Sequence, residues 1–148
     1  MTQTDTELDR IERSIDIDAP AERVWSLLER PGWWINEGEI DETVEVRDED
    51  GQHVVSHPKW GEFRLETLTS EPPYHLAYRW HDNASGGGTT VDFQVEDREG
   101  GVRLTVVETG FRSLDKPRAD IENHVRENTE GWEQELAAAA RFLVRAGA

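Results

Sequence analysis

The chain contains no cysteine among its 148 residues. Disulfides, thiolate nucleophiles and cysteine-ligated metals are therefore excluded. Positive charge is scarce as well: 16 Lys and Arg stand against 32 Asp and Glu, a formal net charge of -16. A field of that sign repels phosphate backbones and anionic membrane surfaces, which argues against a nucleic-acid partner. No segment approaches the roughly 20 apolar residues needed to span a bilayer. The stretch Met1-Thr2-Gln3-Thr4-Asp5-Thr6-Glu7 is polar and acidic and has no signal-like apolar core. These absences lead us to expect a cytoplasmic protein without membrane insertion. No serine sits in a Gly-x-Ser-x-Gly nucleophile elbow. The glycine run Gly86-Gly87-Gly88 joins two strand-like segments and opens no helix, so it reads as a hairpin turn rather than a phosphate loop.

What the chain does have is tryptophan. There are 6, at positions 25, 33, 34, 60, 80 and 132. They are spread over different predicted elements. Ile11, Arg13, Ile15 and Ile17 alternate with polar residues, which predicts a strand whose apolar face is broken once, at Arg13. Pro20 suits the first turn of a helix carrying the stripe Val24, Trp25, Leu27 and Leu28, and Pro31-Gly32 ends it. Strand-like segments follow at 43–47, 53–57, 60–69, 75–82, 89–96 and 102–109. Leu76, Tyr78 and Trp80 share one face, as do Val91, Phe93 and Val95, and Val102, Leu104 and Val106. Short polar turns between such strands predict an antiparallel meander with one wet side. From about Lys116 to Arg145, Ile121, Val125, Trp132, Leu136, Ala139, Ala140 and Leu143 recur at helical steps. Gly131 interrupts this helix, beside Trp132, where it would let a bulky ring or another backbone approach. A helix of about 28 residues reaches about 42 Å, enough to cross a whole sheet. We expect an α+β architecture: a polar lead over residues 1–10, then one domain over 11–148, in which a curved antiparallel sheet of about seven strands wraps a long terminal helix.

Four groups of residues then carry a resemblance. They are Ile15-Asp16-Ile17-Asp18-Ala19-Pro20-Ala21-Glu22-Arg23-Val24-Trp25, Tyr78-Arg79-Trp80, Arg103 through Phe111 with its Glu108-Thr109-Gly110-Phe111 end, and Gly131-Trp132. In this order they resemble the START-related helix-grip (START/Bet v 1-like) superfamily, and within it the branch named after homologues of the Hsp90 ATPase activator. The resemblance spans roughly residues 11–146. It implies a cavity between sheet and terminal helix but no reaction, because the family has no universal catalytic motif. His53, His57, Pro58 and Trp60 depart from the aliphatic strands usual there, and would alter ligand specificity.

We therefore expect a non-enzymatic binding protein for a small hydrophobic or aromatic molecule, lipid- or polyketide-like. Trp34, Trp60, Phe63, Tyr78, Trp80, Phe93, Phe111, Asn128, Trp132 and Leu136 are the expected ligand-binding residues. The rings offer large contact area at little entropic cost. Trp25 is assigned to the core and Trp33 is left unassigned. Two alternatives stand beside this: a chaperone-regulator-like protein-interaction module, and a cyclase- or hydrolase-type enzyme. The last would need an inward acid or base, for which His57, Tyr78, Glu108 and Asn128 are candidates. His53 and His57 share a strand face but stand about 13 Å apart, too far for joint ligation. His75 and His81 face away from Trp80, toward water, and His124 lies at the edge of the terminal helix. No metal or cofactor is expected. The oligomeric state expected is a monomer or weak dimer.

Overall fold

The computed structural model describes residues 10–36, 38–40, 43–81, 87–111, 114 and 116–146. The expected polar lead thus lies outside the described residues except for Arg10, which opens the first strand, and so does Gly86 of the glycine run. The chain runs β1 (Arg10–Ile17), α1 (Ala21–Leu28), β2 (Glu45–Glu49), β3 (Gln52–His57), β4 (Gly61–Glu71), β5 (His75–His81), β6 (Gly88–Arg98), β7 (Gly101–Thr109) and α2 (Arg118–Ala146). The strands form one seven-stranded sheet in the order β1-β7-β6-β5-β4-β3-β2. Every neighbouring pair is antiparallel. With α2 laid against it, this is the helix-grip fold.

Register decides what faces the helix. Ile17 pairs with Val102 and Ile15 with Leu104 across β1 and β7. Phe93 pairs with Val106 and Val95 with Leu104 across β6 and β7. Leu76 pairs with Phe93 and Tyr78 with Val91 across β5 and β6. These residues form one continuous inner face, nearly all of it buried. A strand period of two makes that face indivisible, because a one-residue slip would turn all of it into water. Arg13 falls on the same face opposite Val106, at the rim, where its Nε reaches Glu133 Oε2 of α2 at 3.7 Å. Both side chains are about half exposed, so this pair contributes little.

Three expectations are adjusted. The second strand lies at Glu45–Glu49, two residues beyond the predicted 43–47. It is an edge strand with almost no burial, so no apolar alternation marks its ends; a two-residue turn does. Asp50 (φ 51) and Gly51 (φ 79) both adopt left-handed conformations, and Glu49 pairs with Gln52 across them. Pro20 sits at the N-cap of α1 rather than inside its first turn, and its carbonyl accepts the N–H of Val24 at 3.2 Å. Gly131, expected to admit a close neighbour, has open space where a Cβ would lie.

Gly131 is therefore an unused liability in the longest helix. Gly131→Ala should raise stability by about 1 kcal/mol. Urea denaturation of the two proteins checks this, with a rise in the midpoint at unchanged slope as the expected result.

Candidate functional site

Among the described residues, the inner face of the sheet carries one fully buried acid. Glu108 continues the series Val102, Leu104 and Val106 by one more step of two, and is fully buried. Its neighbours across the ladder are Ile11 and Val91. A carboxyl placed there must find donors or remain neutral. It finds them on two sides. Trp132 of α2 donates its indole N–H to Oε1 at 2.8 Å. Asn128, one helical turn earlier, donates its amide to the same oxygen at 3.1 Å. Thr89 of β6 lies 2.5 Å from Oε2. Burial pushes the Glu108 carboxyl up from the ordinary carboxylate range, against the pull of these three hydrogen bonds. Oε1 already holds two obligate donors.

Beside this carboxyl lies a cluster of rings. Trp34 is its hub: its ring centroid is 5.4 Å from Trp132, 5.5 Å from Trp80, 5.6 Å from Phe93 and 5.8 Å from Tyr78. Trp33 stands 5.9 Å from Trp34, 5.6 Å from Phe93 and 6.4 Å from Trp132. Tilted and edge-on pairs at these separations are each worth about 0.5–1.5 kcal/mol beyond burial. The Tyr78 hydroxyl donates to the Leu28 carbonyl at 2.8 Å, and burial holds its ionisation well above the ordinary range.

A second buried carboxyl lies one turn further along α2. Glu135 accepts the Asn36 amide at 2.7 Å, and the same amide reaches the Trp33 carbonyl at 3.2 Å. The Asn36 side-chain oxygen accepts the Gly38 N–H at 2.8 Å. Asn36 and Glu135 thus tie the Trp33–Trp34 turn to the helix. Burial raises the Glu135 carboxyl to about 7, opposed by Asn36 and by the charge of Arg141.

Of the residues read from the sequence, the structure gathers Trp34, Tyr78, Trp80, Phe93 and Trp132 into this cluster and sets Asn128 on its carboxyl. Leu136 lies in the same buried core. Phe63 packs at the margin, and Phe111 is buried against His124, with ring centroids 5.4 Å apart. Trp60 corrects the expectation. It precedes β4 in a turn, is 46 % exposed, and stacks on His57 at 4.3 Å instead of joining the other indoles. His57 is buried, and its Nδ1 accepts the Lys59 N–H at 3.0 Å. His75 is not simply in water: it bridges Asp92 at 2.6 Å and Glu71 at 3.1 Å, and both carboxylates raise its ionisation. His81 contacts Gln52 at 3.3 Å. Among the described residues no group of three or more metal-ligating side chains converges, and no helix is long and apolar enough to cross a membrane.

Trp33, Asn36, Thr89 and Glu135 escaped the sequence reading. Glu135 left a signal, since it falls on the stripe of Trp132, Leu136 and Ala139. Asn36 left none, because its partner lies 99 residues away.

The family "Activator of Hsp90 ATPase homolog 1-like protein" matches residues 18–141. Among curated proteins none matches the chain. Solved structures do resemble it. Protein MLL2253 of Mesorhizobium loti is 22% identical over 92% of this chain and 97% of its own, with a TM-score of 0.70. The solution structure of the Aha1 dimer of Colwellia psychrerythraea is 17% identical over 90% of this chain and 95% of its own, with a TM-score of 0.65. The Polyketide_cyc-like protein Cgl2372 of Corynebacterium glutamicum is 20% identical over 90% of both chains, with a TM-score of 0.61.

Two variants test the carboxyls. Glu108→Ala strands the Trp132 and Asn128 donors and should cost about 3 kcal/mol or more. Glu108→Gln keeps an acceptor for both and an N–H for Thr89, and should cost less than about 1 kcal/mol. Urea midpoints for the pair check the difference. For Glu135 the folded carboxyl titrates above its unfolded value. Its contribution is present below about pH 4.5 and is lost as pH rises toward 7. Relative to Glu135→Gln, the wild type should lose up to about 3 kcal/mol between pH 4.5 and 8, read from denaturation at each pH.

Proposed function

Because the chain belongs to the activator of Hsp90 ATPase homolog 1-like family, we propose that it binds a small apolar or aromatic molecule between the sheet and α2. The observation that carries this reading is the convergence of Trp33, Trp34, Tyr78, Trp80, Phe93 and Trp132 at one place, with two hydrogen-bonded carboxyls, Glu108 and Glu135, at their edge. Apolar walls with few, placed polar groups are the usual make-up of a small-molecule site. Trp34, Tyr78, Trp80, Phe93, Asn128, Trp132 and Leu136 take the lining roles, with Phe63 and Phe111 at the margins and Trp60 outside. The Polyketide_cyc-like name of the Corynebacterium relative accords with ring-shaped cargo.

Binding is favoured over catalysis for a physical reason. Glu108 is saturated by three partners and Tyr78 gives its proton to a main-chain carbonyl. A general acid or base must reach a substrate proton at hydrogen-bond distance, and both groups are already engaged. A protein-interaction role is the second reading, favoured by the family's description and by the Aha1 relative.

Tryptophan emission tests the proposal. In Trp60→Phe, which removes the exposed indole, neutral polycyclic ring compounds should quench the remaining emission saturably at micromolar concentration. Quenching that stays linear with concentration, together with native mass spectra showing no co-purifying small molecule, would sink it.

A further inference from the structure

Among the described residues, buried side-chain polar groups have hydrogen-bond partners with two exceptions. Glu108 has three partners, the Tyr78 hydroxyl one, and the Trp132 indole N–H one. The indole N–H groups of Trp33 and Trp34 are buried and have no hydrogen-bond partner among the described residues. Each residue is only 6% exposed. An orphaned buried donor costs about 1–3 kcal/mol. Two on adjacent residues, in a core that saturates its other donors, mark a place where acceptors are missing.

The indoles are well packed, but the main chain that carries them has few ties. Its backbone bonds are local: Trp33 N–H to the Arg30 carbonyl at 3.2 Å and Ile35 N–H to the Gly32 carbonyl at 2.8 Å. No strand pairs with it. Gly32 (φ +73) and Gly38 (φ +108) bracket it in conformations that other residues rarely adopt. At Gly32 a Cβ would also lie 2.8 Å from Val55 Cγ2. Such positions absorb backbone rotation when a segment moves. The tie to α2 is the Asn36–Glu135 pair, supplemented by Arg141 Nη2 at 3.4 Å from the Gly38 carbonyl. On the side of the turn toward α1 and β2 lies a half-open cavity of about 420 Å³, lined by Trp33, Ile40, Val44 and Val46 among others. The turn therefore has room to shift.

We propose that the Trp33–Trp34 turn is the specificity element of the grip: it shifts on its two glycines and gives its indole N–H groups to a ligand that is apolar, ring-shaped and equipped with hydrogen-bond acceptors such as carbonyls. This rests on the binding function proposed above and narrows its ligand class. Hydrocarbon-like ligands would fill the same walls but leave both donors orphaned, so the site discriminates against them. Asn36 acts as the latch that keeps the turn in place when no ligand is present.

The test uses the intact chain and two neutral probes: 6-propionyl-2-dimethylaminonaphthalene and the same naphthylamine without the propionyl group. The ketone should bind about 10-fold more tightly, the value of one recovered hydrogen bond. In proton–nitrogen NMR spectra the indole signals of Trp33 and Trp34, assigned by triple resonance, should move downfield with the ketone only. Trp33→Phe and Trp34→Phe should each reduce the preference, and Asn36→Ala should tighten both probes several-fold. Equal affinity for the two probes, or a bound ketone that leaves both indole signals unmoved, overturns this inference while the binding function stands. If neither probe binds the wild type or Asn36→Ala, both fall together.

Discussion

The architecture turns on one carboxyl that cannot be left alone. Glu108 is the only acid on the buried face of β7, and its three partners come from β6 and α2. Hydrophobic contact alone would let a long helix slide or rotate over a sheet of valines and leucines, since such contact has no direction. Three hydrogen bonds to one carboxyl do have direction. They fix the azimuth of α2 so that Asn128 and Trp132 point at β7, and they fix its height along the sheet. The position of Trp132 in turn sets where Trp33 and Trp34 pack. Buried polar groups that are fully satisfied specify an arrangement in this way, at the risk of a large cost if one partner is lost.

The ring cluster is the second layer of that arrangement. It draws on the paired strands β5 and β6, on α2 and on the turn after α1, so it joins the sheet to two segments outside its ladders. The turn differs from the others in being fastened by side chains only. The Asn36–Glu135 tie has a carboxyl titrating at about 7, so the state of this fastening changes over the neutral range, whereas the Glu108 clasp lies deeper and has three partners. One end of the core is thereby built to persist and the other to yield.

Much of this was legible in the sequence. The period-two runs of β5, β6 and β7 and the helical stripe of α2 state the layers, because both the strands and the helix have one wet side. Glu108 was visible as the next step of the Val102, Leu104, Val106 series. The illegible parts share a cause. Trp60 carries the same ring as Trp80, but periodicity gives no face to a residue in a turn, and its partner His57 claims it locally. The ends of β2 were blurred because an exposed edge strand has no buried alternation to read. The link between Asn36 and Glu135 depends on how a turn folds over a helix, and neither residue type announces it.

The exposed edge made by β2 has a consequence for the life of the protein in a crowded solution. A sheet that ends in a bare strand offers its unpaired amides and carbonyls to any other strand, including its own copy. Here that edge is five residues long, and Glu45, Asp48 and Glu49 are three of them. A second copy laid alongside would bring carboxylate against carboxylate, in a molecule already carrying a net charge of -16. Like charge thus works against edge-to-edge pairing through β2, the end of the sheet with the least buried surface.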